Sequence, residues 1–199
     1  NASGTGTFTI AAPNSNTDRT LTLPDEAGTV LTSVSSIPVA NLDSAVGITE
    51  ADQWRLNTGL ARTSGQFLNT GWERNDSNFD KIGTGVSQNL GVFTFPSTGI
   101  WLVISQTTGG SSAAGQFVGH RLFLSDDGGT SFNVRASGWG NSYTSNSYHQ
   151  VVLNTIIDVT STSNFQLKLE CSANSGTVTY DGNTTQMVTG ITFIRLGDT

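Results

Sequence analysis

One cysteine, Cys171, stands in the 199 residues, so no intrachain disulfide can form and stability has to come from packing and assembly. Charge is scarce too: 12 % of residues are Asp, Glu, Lys or Arg, and 9 basic side chains face 15 acidic ones for a formal net charge of -6. Such a chain repels phosphate backbones and anionic lipid, which excludes a nucleic-acid footprint and disfavours membrane surfaces. No run approaches the roughly 20 apolar residues of a membrane span, and no basic-then-apolar leader opens the sequence. The first residue is Asn1 rather than Met, which reads as a processed or partial product. Missing as well are a Gly-x-Ser-x-Gly elbow, a phosphate loop and a dinucleotide fingerprint. Paired acids for sugar cleavage have no fixed spacing, so that chemistry stays open.

What is present is turn and strand material. Glycine occurs 23 times, and Thr, Ser and Asn crowd every segment, a mixture that describes short strands and many turns. Residues 1–48 read as a β-stalk or anchoring extension with a connector. Thr7-Phe8-Thr9-Ile10, Thr20-Leu21-Thr22-Leu23-Pro24 and Gly28-Thr29-Val30-Leu31 are short strand pieces whose apolar residues alternate. Three such pieces cannot bury a core alone, and sister copies wound about an axis would supply the missing faces. Residues 33–48, rich in Ser, Val, Ala and Asn, read as the connector.

Residues 49–199 read as one domain. At its start Thr49 can cap backbone amides, and Glu50 and Asp52 suit the positive end of a helix dipole, so a helix of one or two turns is expected to carry Trp54 and Leu56. Gly59, Gly65 and Gly71 end any longer helix. Strands follow. Phe165, Leu167, Leu169 and Cys171 alternate with Gln166, Lys168 and Glu170, one face dry and one wet. Val151, Leu153, Ile157 and Val159 form a second dry face, and Leu90–Phe95, Ile100–Ile104, Gln116–Leu124, Phe132–Ala136 and Met187–Leu196 complete the set. Many short strands without a helix of real length predict an all-β, antiparallel jelly-roll sandwich.

Four stretches carry resemblances. The "TLTLP" strand followed by "GTVL" resembles the Thr-rich repeat of bacteriophage tail fibres. Phe93-Thr94-Phe95-Pro96-Ser97-Thr98-Gly99-Ile100-Trp101 resembles the Phe-x-x-Pro-x-x-Gly-x-aromatic signature of complement globular-head and tumour necrosis factor-like jelly rolls. The closing Val188-Thr189-Gly190-Ile191-Thr192-Phe193 is similar to that family's Phe-x-Gly-x-x-Leu strand, with Val188 in place of the aromatic. The family implies a homotrimer whose subunits meet along one sheet with the termini gathered at its base; with no catalytic motif in the sequence, a non-catalytic role is expected. "ITEADQWRL" leading into such a head looks like marine, cyanophage-like virion structural proteins. The resemblances together imply a trimeric fibre or spike at the virion surface, held to other virion proteins by the N-terminal segment and meeting a host receptor or glycan at its tip. A capsid decoration protein is the alternative, and a glycan-active enzyme a more distant one.

Candidate sites are few. Trp139, Tyr143 and Tyr148, in a stretch rich in Gly and Ser, offer sugar-stacking rings, with subunit-interface packing the slightly favoured reading. Asp76, Asn78 and Asp80 place oxygen side chains at alternate positions as calcium loops do, but Lys81 and Ser87 stand where such a loop has Gly and Glu, and a polar turn is the favoured reading. Ser125-Asp126-Asp127-Gly128-Gly129-Thr130-Ser131-Phe132 fits an Asp-box motif; occurring once, it reads as a tight hairpin in which Asp127 holds turn amides and Gly129 takes a positive φ. His120 and His149 have no third metal ligand recognisable nearby and read as strand-edge or interface histidines. Cys171 reads as a buried, inert thiol. No cofactor is expected.

Overall fold

The computed structural model describes Gly4, Asp18, Thr20 and residues 47–199 apart from Asn78. The proposed stalk repeats, and Asn78 of the calcium candidate, therefore lie outside the described residues. All described elements belong to the unit Leu42–Thr199. They are β1 (Ala51–Leu56), β2 (Leu60–Arg62), β3 (Trp72–Arg74), β4 (Lys81–Ile82), β5 (Ser87–Asn89), β6 (Val92–Thr94), β7 (Gly99–Ser111), β8 (Gly115–Ser125), β9 (Asn133–Ser142), β10 (Tyr148–Val159), β11 (Gln166–Ala173), β12 (Val178–Tyr180) and β13 (Gly190–Gly197).

The strands form two sheets, and all their pairings are antiparallel. One has eight strands in the order β2-β12-β7-β13-β1-β3, with β10 on the other edge of β7 and β4 beside β1; the second has five in the order β5-β6-β11-β8-β9. The long β7 is the spine of the first sheet. β10 pairs with its full length. On the opposite edge β13 covers Ile100–Gln106 and β12 continues over Gly109–Ser111. The chain is all-β, and no helix occurs among the described residues.

Alternation builds the core. Along β7 every second residue from Gly99 is buried, and Leu167, Leu169, Cys171 and Ala173 of β11 face it from the other sheet. Trp101, Phe93, Phe95 and Phe193 meet near the start of β7, with ring centroids 5.3 Å apart for Phe95 and Trp101 and 5.5 Å for Phe93 and Phe193. Each buried aromatic contributes about 1.5–3 kcal/mol of transfer free energy. The Pro96–Gly99 turn delivers two of these rings. It joins β6 to β7, which are consecutive in the chain but lie in opposite sheets. Gly99 sits at φ 137° with the Gly197 carbonyl and Arg195 packed where a Cβ would project, so only glycine fits.

The expected helix at Thr49–Leu56 is not formed; the segment is β1. Its residues 51–55 pair with Ile194–Gly190 of β13, and residues 54–56 pair with β3. Asp52, Trp54 and Leu56 point inward at a two-residue period. Tertiary pairing has overridden local capping preference. Asp52, read from sequence as a helix-dipole carboxylate, is instead completely buried. It accepts hydrogen bonds from Val86 N at 2.7 Å, Gln53 N at 2.8 Å, Arg74 Nε at 3.0 Å and Trp54 Nε1 at 3.2 Å. A second correction concerns Leu90, which leads no strand: with Gly91 it forms a two-residue hairpin turn at φ 48° and 76° between β5 and β6.

Candidate functional site

The fold draws the two histidines and the thiol into the sandwich. His120, on the inner face of β8, lies within hydrogen-bond distance of Ser105 Oγ (2.8 Å) and Thr107 Oγ1 (2.9 Å) on β7. Both ring nitrogens are thus engaged by buried hydroxyls. Burial, and to a lesser degree the neighbouring His149, lower its pKa to about 3. His149 points inward from β10, its ring 6.2 Å from Tyr180. Its pKa is also lowered by burial, against opposing contributions from Asp181 and the Gly109 backbone. Tyr180 donates to the Gly119 carbonyl at 2.6 Å, and burial raises its pKa. Cys171 is buried, with its thiol pKa raised first by that burial. Neutral imidazoles and a protonated thiol sealed from solvent make a polar core layer rather than a nucleophile and base. Both histidine side chains are therefore interior, His120 on β8 between β11 and β9 and His149 on β10, a strand at the edge of the eight-stranded sheet.

The Asp-box segment is the turn between β8 and β9. Asp127 accepts from Ser131 N at 2.9 Å, Ser131 Oγ at 2.6 Å and Ser125 Oγ at 2.7 Å, and Gly129 lies at φ 87°. These bonds, Ser131's first, hold its pKa at about 2. Asp76, in the calcium candidate, accepts from Arg55 Nη2 at 3.0 Å, and Asp80 is exposed at φ 68°. Arg55 is the organiser here. It is 1 % exposed and also contacts Glu73 at 2.8 Å and Ser77 at 3.1 Å, together with Asn75 and the Thr184 carbonyl. Of the calcium candidates, Asp76 is thus engaged by a guanidinium. Among the described residues no three His, Cys, Asp or Glu side chains gather as metal ligands.

The three candidate stacking rings are not on one platform. Trp139 lies on the outer face of the β5-β6-β11-β8-β9 sheet, its indole donating to Ser172 Oγ at 2.8 Å and its ring 5.8 Å from that of Phe117. Tyr143 is in the β9–β10 loop, and Tyr148 stands on the outer face of the other sheet at the start of β10. Tyr148 borders a groove. It has a volume of about 250 Å³ and is lined by Gly110, Ser112, Asn146, Tyr148, Thr179 and Asp181. Its floor is one cross-strand row, since Gly110 pairs with Tyr148 of β10 on one side and Thr179 of β12 on the other. No sequence spacing announces it, because three strands and three loops contribute; a Gly109-Gly110 pair inside a long strand is the single local hint.

Two antiparallel sheets in these strand orders define a jelly-roll sandwich. No protein-family model matches the chain, and no curated protein does. Solved structures do. The Eiger tumour necrosis factor of S. frugiperda superposes with a TM-score of 0.63 at 12 % identity, over 77 % of this chain and 96 % of that one. Murine APRIL at pH 5.0 gives 0.51 at 13 % identity, over 74 % of this chain and 98 % of the other, and at pH 8.0 gives 0.50 at 12 % with the same coverage. At such identities the likeness establishes the fold, a tumour necrosis factor-like jelly roll.

Proposed function

We propose that the chain is a non-catalytic, homotrimeric head of a virion fibre or spike, attached to the particle through its N-terminal segment and meeting a host-surface glycan or receptor. The observation that supports it is the outer face of the β10-β7-β13 layer. Ile156, Leu102 and Ile194 form one cross-strand row, Asn154, Ile104 and Thr192 the next. Val152, Ile156 and Leu196 are 53 %, 64 % and 55 % exposed. In a chain with so little disulfide or charge to protect a monomer, an aliphatic sheet face suits burial against identical copies. The jelly-roll likeness agrees with this arrangement, and the TLTLP and GTVL resemblances motivate the fibre setting.

Sedimentation equilibrium tests the assembly. The expected mass is three times the 20.9 kDa chain; a single-chain mass at all concentrations refutes the trimer. Gold-labelled antibody on intact particles tests the setting. Label on fibres supports the fibre reading, label spread over the shell replaces it with capsid decoration, and unlabelled particles refute a virion role.

A further inference from the structure

The groove at the end of β7 sets an exposed aromatic ring beside several polar side chains. Its wall is the Tyr148 ring, 72 % exposed. Its floor is Gly110, where the missing side chain leaves the depression open. Around the rim stand Asp181, Thr179 and Asn146. Asp181 uses its backbone N–H on the Thr108 carbonyl at 2.8 Å, and Asn146 its own on the Ser111 carbonyl at 2.6 Å. Among the hydrogen bonds and ion pairs of the described residues, none engages the Asp181 carboxylate, the Asn146 amide, the Thr179 hydroxyl or the Tyr148 hydroxyl. A flat apolar ring beside unengaged carboxylate, amide and hydroxyl groups matches a pyranose, which offers an apolar C–H face to stack and a girdle of hydroxyls to bond.

Charge narrows the class. No Lys or Arg lines the groove, its one ionisable lining group besides the tyrosine is the carboxylate of Asp181, and the chain carries -6 overall. Acidic sugars, sulfated chains and phosphates are repelled. Size narrows it further, because about 250 Å³ is below the ~300–1,000 Å³ of sites for drug-sized ligands and suits a terminal sugar rather than an extended oligosaccharide. The groove is also separate from the aliphatic face. Gly110 is six positions beyond Ile104 on β7, about 20 Å along the strand, and Tyr148 is four positions from Val152 on β10, about 13 Å; whether assembly leaves the groove open is read by the oligomeric state of the groove variants.

We propose that the Gly110–Tyr148–Asp181 groove is a binding site for one neutral, non-reducing-end pyranose. This deepens the reading of the head as a glycan-contacting tip and rests on it. Tyr148 stacks the sugar ring, while Asp181 and Asn146 take its hydroxyls.

The test is saturation-transfer NMR on the full chain with glucose, galactose, mannose and N-acetylglucosamine at millimolar concentration, and N-acetylneuraminic acid as the acidic control. At least one neutral sugar is expected to receive transfer and the acidic sugar not. Gly110→Val is the decisive variant. A Cβ there meets nothing nearer than the Ser147 carbonyl at 3.8 Å and the backbone has ordinary φ, so the fold is kept while the floor is filled. It and Tyr148→Ala are expected to weaken binding about tenfold or more, and Asp181→Asn to weaken it less. No transfer to any neutral sugar, equal transfer to the acidic one, or transfer unchanged in Gly110→Val overturns the proposal. Dissociation of the oligomer by Gly110→Val or Tyr148→Ala also overturns it, by making the groove a subunit contact. A trimer that binds no sugar refutes the site alone; a sugar-binding monomer refutes the trimer alone.

Discussion

His120 shows how one buried side chain sets a property of the whole molecule. Its imidazole is neutral in the fold because burial strips its charged form of water and, to a lesser degree, because His149 lies near, while the Ser105 and Thr107 hydroxyls satisfy its two nitrogens. Unfolding releases it to an ordinary pKa of 6.5, against about 3 in the fold. Below 6.5 the unfolded chain binds the proton and the folded chain does not, so stability is fully present above that value and drains as the pH falls toward 3. Between about pH 7 and pH 5 the loss from this group is about 2 kcal/mol. Urea titrations at fixed protein concentration are expected to show that decline in the wild type and a flatter profile in His120→Gln, the remaining slope coming from His149, whose pKa burial also lowers. A pH slope unchanged by the substitution refutes the account. Asp127 has the opposite sign and a lower window. Its carboxylate, held at about 2 by Ser131 and Ser125, helps the fold above its ordinary pKa of 3.8 and stops helping as the pH falls through 2. Because it lies at the surface its effect is small.

Among the elements, β1 was least legible in the sequence and is among the most strongly tied. Six residues with buried ends and half-buried middle give no clear alternation, and Thr49, Glu50 and Asp52 imitate a helix start. The carboxylate of Asp52 reveals its role only once β3 and the loop before β5 fold over it. Breaking a buried ion pair costs about 3–5 kcal/mol. Arg74, its partner, is 28 % exposed and can recover water, so Asp52→Ala is expected near the lower end, about 3 kcal/mol. Glu50→Ala, which removes an acceptor of the Gly85 amide, is expected to cost within about 1 kcal/mol. Denaturant midpoints separate the two, and equal costs would contradict the central place given to Asp52. Strands were legible where the interior is aliphatic. β10, β11 and the first half of β7 alternate plainly. They vanished where it is polar or small: the rest of β7 buries Ser105, Thr107 and Gly109, and the second half of β9 turns Gly138 and Gly140 inward. Those are the positions that accommodate His120 and the close approach of Leu153 to Gly138. The motif signals fared likewise. Local chemistry, the Asp127 turn and the Phe93–Trp101 signature, reads directly from neighbours in sequence. The groove around Tyr148 does not, because Gly110 reaches it from β7 and Asp181 from the loop after β12.

For the molecule as a whole, the two outer faces divide the labour. The β5-β6-β11-β8-β9 sheet shows solvent charged and aromatic side chains that already have partners: Lys168 lies over the Phe132 ring at 3.7 Å and the Phe67 ring at 4.9 Å, and Arg121 pairs with Glu170. The opposite sheet presents Val152 and Ile156 beside Leu102 and Ile194 with no such cover. If three copies close on that face, symmetry repeats any defect three times. A carboxylate at Ile156 would be solvated in the monomer, where the site is 64 % exposed, but buried without a counter-ion in the trimer, at several kcal/mol per copy. Ile156→Glu is therefore expected to give a folded single chain, with the β-type circular dichroism of the wild type and one third of its sedimentation mass. Val134→Glu, on the other sheet and 44 % exposed, is expected to leave assembly intact. The wild type's thermal midpoint should rise with protein concentration, while that of Ile156→Glu should not. A trimer that survives Ile156→Glu, or falls apart equally with Val134→Glu, places the contact elsewhere and removes the aliphatic face from the interface.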